Sequence, residues 1–301
     1  MRPKHIVVIG DTIIDHAVYG KAVGLSLETP TIKGKYLREE YSFGGAANVV
    51  NNLLTLRQKV TFITPVSTSK YGNLIRTWSS DRLKILCLEN DMENFVKSRY
   101  WLSRGDSYYK VMQMNQGEAA LINNCEYKKI MSVVENEQLD LVVLVDYWGG
   151  TFDDPEQTKK IISMCNKRNI KVVSSSQISG EHRRHEYFKN SHIICMNKKE
   201  AIENNPYFEV NKTQMNQLFH LLKSKICVTL GSEGAAYYDG KDMTRFPAQA
   251  VKAIDTCGAG DSFLAALCSR IETVDIEFSN KWAAQSTLEK GTIVPQYKNN
   301  E

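Results

Sequence analysis

Six short apolar runs rich in β-branched residues, separated by stretches of helical periodicity, limit more than anything else what this chain can fold into. They are Ile6 to Ile9, Val60 to Ile63, Leu139 to Val145, Lys171 to Val173, His192 to Cys195 and Ile226 to Leu230. Runs this short and this continuously apolar read as strands covered on both faces. Between them, Ala46, Val49, Val50, Leu53 and Leu54 fall on one helical stripe, and Met215, Leu218, Phe219 and Leu222 on another. The alternation predicts a mostly parallel sheet with helices on both sides and ligands at the C-terminal ends of its strands. Ile14 to Leu37 and Lys97 to Met114 break the pattern. They read as strands with no helix between them, a small separate sheet that could cover the site as a lid. There is no Pro/Gly/Ser-rich linker, low-complexity tract or internal repeat, so residues 1–301 are expected to form one domain. Its lid strands should come from about 12–40 and 97–117.

The clearest chemical signal is Asp255-Thr256-Cys257-Gly258-Ala259-Gly260-Asp261-Ser262-Phe263, followed by Leu264, Leu267, Cys268 and Ile271 at helical spacing. The first free N–H groups of that helix and the positive end of its dipole favour a phosphate. Gly258 and Gly260 let backbone approach it closely. A carboxylate in an anion turn repels the anion unless it serves something else, such as the hydroxyl proton of a second substrate. Asp261 therefore suits phosphoryl transfer to an alcohol; the competing reading is a plain turn in which it caps the helix. A dinucleotide fingerprint lacks its third glycine here, and G-x-x-x-x-G-K-S/T is absent, Gly234 to Gly240-Lys241-Asp242 being one residue too long.

A composition of 42% hydrophobic and 24% charged residues suffices for a sizeable core. A net charge of +4 without a Lys/Arg run argues against a nucleic-acid partner. The longest apolar run, Leu141 to Val145, is too short to cross a membrane, so the expected location is cytoplasmic. Seven cysteines, odd in number and never in C-x-x-C spacing, speak against a disulfide framework or a zinc site. Cys257 sits where a helix N-terminus can lower a thiol pKa, yet no histidine lies near it in sequence to act as base. His182-Arg183-Arg184-His185 has no acidic or cysteine ligands beside it and reads as a solvated polar turn.

Gly10-Asp11 with Asp15, Gly44-Gly45-Ala46-Ala47-Asn48, Asn197-Lys198-Lys199-Glu200, Thr229-Leu230-Gly231-Ser232-Glu233-Gly234 and Asp255 to Asp261 resemble, in order, the motifs of the ribokinase-like (PfkB) sugar kinases. Within that family, Ser26-Leu27-Glu28-Thr29-Pro30, Lys97-Ser98-Arg99-Tyr100 and Asp146-Tyr147 look most like the bacterial D-glycero-D-manno-heptose 7-phosphate kinases. A bifunctional relative carries an added nucleotidyltransferase domain, for which this chain is expected to be too short.

The resemblance implies a ribokinase-like three-layer α/β/α fold with a small β-sheet lid, binding a sugar or sugar phosphate, ATP and Mg²⁺. It implies that Asp261 is the catalytic base and that the turn Gly258, Ala259 and Gly260 forms the anion hole. Asp15 and Asn48 would bind sugar hydroxyls, Gly44 and Gly45 would let backbone come close, and Asp11 would be a further substrate contact. Asn197, Glu200, Thr229, Gly231, Ser232, Gly234 and Asn280 would bind the nucleotide, with Glu200 meeting Mg²⁺ through water. Local alternatives stand beside these roles: a capping box for Asn197 and Glu200, a tight turn for the glycines, and turn chemistry for Asp11.

Two departures bear on the acceptor. Gly24-Leu25-Ser26-Leu27-Glu28-Thr29-Pro30 stands where heptose kinases usually have Arg-Ile-Ser-Pro-Glu-Ala-Pro, and Ser174-Ser175-Ser176-Gln177 where Asp-Pro-Lys usually follows a strand. Both remove cations that an anionic sugar needs. Arg99, Arg104 and Lys110 could supply them, or could be plain solvated strand residues. The expected function is phosphorylation of heptose 7-phosphate to the 1,7-bisphosphate for surface polysaccharide precursors. The alternatives are a kinase of this family for another sugar, or a catalytically silent sugar or nucleotide sensor. An exposed lid edge would suit a homodimer.

Overall fold

The computed structural model describes residues 2–105, 107–178 and 183–296. From the N-terminus come β1 (His5–Gly10), β2 (Thr12–Leu25), β3 (Ile32–Gly45), α1 (Ala46–Thr55), β4 (Lys59–Ser67), α2 (Lys70–Thr77) and β5 (Leu83–Asn90). Next are β6 (Phe95–Arg104), β7 (Ser107–Gln116), α3 (Asn124–Asn136), β8 (Leu141–Asp146), α4 (Pro155–Lys167) and β9 (Lys171–Ser176). The last third holds β10 (Ile193–Asn197), α5 (Lys198–Asn204), α6 (Lys212–Leu222), β11 (Lys225–Thr229), β12 (Ala235–Tyr238), β13 (Met243–Phe246), α7 (Ala259–Ser269) and α8 (Ile276–Ser286).

Side chains alternate across a strand, and β1 shows what that alternation builds. Ile6 and Val8 belong to one apolar layer with Val49 and Leu53 of α1 and Leu267 of α7, while Val7 and Ile9 belong to the opposite layer with Val134 of α3, Ile161 of α4 and Leu218 of α6. Both faces of the sheet are thereby covered, giving three layers. The nine strands lie in the order β13-β12-β11-β10-β9-β8-β1-β4-β5. All neighbours from β11 to β5 are parallel, and β12 and β13 are antiparallel additions at one edge. Chain order reverses between β1 and β8. Their C-terminal ends, Gly10-Asp11 and Asp146-Tyr147, therefore open on the crevice where ligands bind in such sheets.

The second sheet has the order β3-β2-β6-β7, mixed rather than purely antiparallel because β2 and β6 run parallel. Its base is buried: Ile14 and Val96 meet Val66, Tyr71 and Ile75. The outer part is not, and Leu25, Ile32, Tyr36 and Tyr109 are more than half exposed. The β2–β3 excursion leaves the core after Asp11 and returns at Ala46, whose N–H donates to the Asp11 carbonyl at 3.0 Å. That bond extends to the base of the excursion a β2–β3 ladder that starts at Thr12 and Gly45.

Two expectations need correction. The turn around His185 is only partly solvated: Arg183 and Glu186 are exposed, but His185 is fully buried, its Nδ1 bonded to the Asn204 amide at 3.0 Å, and burial pushes its pKa down to about 4. His182 lies outside the described residues. Burial and the nearby Asp15 charge raise the Cys257 thiol pKa instead of lowering it. Among the described residues no helix is long and apolar enough to cross a membrane.

Candidate active site

The Asp255–Asp261 turn leads straight into α7. Gly258 is the N-cap, at φ 77°, with no side chain to cap the helix. A Cβ there would lie 2.6 Å from the Asn48 amide nitrogen, so glycine is needed for both its backbone angle and its close approach to α1. A methyl at Gly260 would meet nothing within 4 Å, which marks the open side of the turn. The Ala259 N–H bonds the Thr256 carbonyl at 3.3 Å. That leaves Gly260 and Asp261 as the better placed N–H donors of the first turn.

Asp261 is buried, and two donors hold it. Tyr147 gives its hydroxyl to Oδ1 at 2.6 Å and Asn48 gives its amide to Oδ2 at 3.0 Å. Burial lifts the Asp261 pKa to about 6, the two hydrogen bonds and Lys97 pull it down, and Asp15 pushes it up. A carboxylate poised there is still mostly ionised at neutral pH and has basicity to spare for a hydroxyl proton. Asn48 is itself wholly buried, its Oδ1 accepting from Asn52 at 3.1 Å. Its amide is thus spent on orienting the aspartate.

Asp15 comes from β2 and faces the same crevice. It accepts from Arg99 at 2.5 Å and from Thr292 at 2.9 Å. A Cβ on Gly44 would sit 2.8 Å from its Oδ2, so the glycine makes room for the carboxylate. Gly45, at φ 61°, is the N-cap of α1 and packs against the Asp11 carbonyl. Asp11, expected to meet substrate, is committed elsewhere. It is buried and accepts from the N–H groups of Tyr147 at 2.8 Å, Gly149 at 2.9 Å and Thr151 at 3.2 Å, and from the Thr151 hydroxyl.

The residues expected from sequence to meet the nucleotide start at the ends of β10 and β11, where Asn197 and Thr229 are paired neighbours. Asn197 caps α5 by accepting from the Glu200 N–H at 2.9 Å, and Glu200 returns the bond to the Asn197 N–H at 2.8 Å. This is a complete capping box. Burial raises the Glu200 pKa to about 7, and its charge reaches as far as Tyr147. Gly231 and Ser232 form an exposed turn with open space beside Gly231. Gly234, at φ 97°, lies against the Phe246 carbonyl, which leaves no room for a side chain. Asn280 of α8 donates to the Phe246 and Pro247 carbonyls at 3.0 and 3.2 Å. The last two are framework positions, at one remove from the exposed turn.

Residues 3–299 match the pfkB family carbohydrate kinase model. The chain belongs to this family. Among curated relatives, the bifunctional protein HldE of Campylobacter curvus (strain 525.92) is 31% identical over 271 residues, covering 87% of this chain and 56% of the relative. HldE of Helicobacter pylori (strain Shi470) is 26% identical, covering 93% and 62%. The chain spans little more than half the length of the curated relatives it matches. Among solved structures, phosphofructokinase-2 from Escherichia coli in complex with potassium aligns at a TM-score of 0.78 with 19% identity, over 98% of this chain and 96% of that one. Ribokinase from Thermotoga maritima aligns at 0.70 with 17% identity, over 96% and 94%. Both likenesses establish the ribokinase-like fold.

Within this pfkB family member, Tyr147 and Thr292, both close to Asp261 or Asp15, were not assigned a role from sequence. Tyr147 follows a buried central strand at its C-terminal end, a position that was a usable signal. Arg99 was recognisable only as one of several lid cations; Arg104 and Lys110 lie at the far, exposed end of the lid. Thr292 sits in a polar tail with no pattern at all, and Gly291 beside it donates to Asp255 at 2.9 Å.

Proposed function

We propose that this pfkB family kinase transfers the γ-phosphoryl group of ATP to the anomeric hydroxyl of a heptose 7-phosphate, a cytoplasmic step towards surface polysaccharide precursors. The observation that carries the chemistry is Asp261: buried, held by two donors, and placed in the first turn of a helix whose N–H groups suit a phosphate. Asp261 takes the hydroxyl proton as that oxygen bonds to phosphorus. The bond from phosphorus to the β,γ-bridging oxygen breaks, and its electron pair leaves with ADP. The Gly260 and Asp261 N–H groups stabilise charge on the transferring group.

Glu200 fits a role towards Mg²⁺, since it is buried and one of its oxygens is already held by the Asn197 N–H. Among the described residues no cluster of three or more His, Cys, Asp or Glu could cage a metal. That suits an ion held chiefly by phosphates and its own waters. When bound, Mg²⁺ would neutralise phosphate charge; Asn197, Thr229, Gly231 and Ser232 would place the nucleotide.

The heptose assignment rests on the motif resemblance and on the HldE relatives. For the distal phosphate, Lys97 and Arg99 on β6 stand closest to Asp15, in the register Asp15–Lys97 and Ala17–Arg99. They are the cations we assign to replace those missing near Gly24 and Ser175. The exposed apolar outer lid, including Leu25, Ile32 and Tyr36, suits a homodimer, which a sizing column would reveal at twice the 34.2 kDa chain mass.

The deciding assay is ADP release from Mg·ATP against sugars and their 7-, 6- and 5-phosphates. Turnover confined to heptose 7-phosphate supports the proposal, and turnover on another sugar alone replaces the acceptor. Nucleotide binding with no turnover on any acceptor would turn the reading to a silent sensor.

A further inference from the structure

Asp11 is a buried carboxylate that accepts four hydrogen bonds, all from the Tyr147–Thr151 loop. That is an unusually dense commitment for a residue with no exposed surface to offer a ligand. The loop it fastens is short, and its first residue carries the phenol that reaches Asp261 at 2.6 Å. The Tyr147 ring is set between Gly45, where a Cβ would lie 3.5 Å from the ring, and the apolar layer containing α1 and α7. Gly149 makes the clamp tight, because a Cβ there would fall 2.5 Å from the Asp11 carboxyl carbon.

We infer that Tyr147 is a positioning residue for Asp261, aiming and tuning the base through its hydroxyl, and that Asp11 is the anchor that holds Tyr147 in place. This rests on Asp261 being the base proposed above. A carboxylate oxygen has two lone-pair directions. With Tyr147 on Oδ1 and Asn48 on Oδ2, the carboxylate plane is fixed from two sides, and the remaining directions are left for the acceptor hydroxyl. A donated hydrogen bond also favours the charged form, so Tyr147 keeps Asp261 ionised against the burial that works the other way. The tyrosine is suited to donate: burial and the Asp261 charge hold its own pKa well above the usual value, so it stays protonated. The other titratable groups facing the pair are Asp15 from β2, Lys97 from β6, Glu200 from α5 and the neutral Cys257 thiol from the anion turn. None of them changes in the substitution that tests the idea.

The test follows the Asp261 carboxyl by ¹³C NMR titration, its signal assigned by loss in Asp261→Asn, in wild type and in Tyr147→Phe. Removing the donor should raise the Asp261 midpoint by about one pH unit. An unchanged midpoint overturns the inference, whatever the enzyme phosphorylates. In turnover with the accepted sugar, Tyr147→Phe should lower kcat by about 10- to 100-fold with both KM values within about threefold. Its acid limb should move upward by the same pH unit. A Tyr147→Phe enzyme with wild-type kcat and acid limb also overturns the inference, whereas an inactive wild type overturns the kinase proposal and leaves the titration to decide this one. For the anchor, Asp11→Asn and Gly149→Ala should each shift the Asp261 midpoint upward as Tyr147→Phe does. A wild-type midpoint in whichever of them folds removes Asp11 from the account.

Discussion

The two halves of the site are built in opposite ways. Around Asp261 and Asp15, side chains meet over sequence separations of 84 to 277 residues, from two lid strands, two helices, a strand-end loop and the C-terminal segment. Around Asn197 and Glu200, the bonds span three residues and close on themselves as a helix cap. The first half exists only when the whole molecule is folded. The second is present wherever β10 hands over to α5. A site assembled from distant parts can fix a base and an acceptor with little freedom, while a local turn can hold a nucleotide with backbone groups and remain open to solvent.

The sharpest way to break this contrast is at the base. Asp261→Asn should lower kcat by about 10²- to 10⁴-fold while leaving nucleotide affinity within about twofold by calorimetry. Loss of nucleotide binding in that variant would mean that the halves are not separable. The same substitution reports on pH. The Asp261 pKa rises from 3.8 unfolded to about 6 folded, so its contribution to stability is fully present below pH 4 and is lost as pH rises through 6. Between pH 4 and pH 8 the wild type should lose about 2 kcal/mol relative to Asp261→Asn, measured by denaturant unfolding. Parallel curves would place Asp261 in a more solvated setting than its burial implies.

Arg99→Met tests the acceptor half from the lid. It removes the partner of a carboxylate that is mostly buried, so a stability loss of about 1 to 3 kcal/mol is expected. KM for a phosphorylated acceptor should rise about 10- to 100-fold, with KM for ATP unchanged. Equal effects on both KM values would assign Arg99 to general packing. The smallest effect belongs to the local half. Asn197→Ala should cost about 1 kcal/mol of stability through the lost cap, and calorimetry should show a few-fold weaker ATP binding with no change in the acid limb.

That contrast also explains what could be seen in the sequence. The stripes of α1 and α7 and the apolar run of β8 announce themselves because periodicity is local, and local pattern is what a linear text preserves. The Asn197–Glu200 pair was visible for the same reason. β5 was not, since it is a half-buried edge strand of mixed polarity, Leu83–Asn90. Nor was the Tyr147–Asp261 bond, because no spacing rule links residues 114 apart. Asp11 was misjudged for a subtler reason. An aspartate after a strand-end glycine suits a sugar contact or a loop anchor equally, and only the placement of residues 147–151 against it decides between them.

The bond from the Ala46 N–H to the Asp11 carbonyl has a consequence for how such proteins can diversify. With the β2–β3 ladder that starts at Thr12 and Gly45, it makes the excursion a cassette with stapled ends. Lengthening a loop whose ends are already joined changes closure entropy only slowly. The strands that carry Asp15 could therefore be traded for longer, shorter or differently charged ones while α7 and its base stay where they are. On the proposed function, acceptor choice would then be an exchangeable part mounted on a fixed engine.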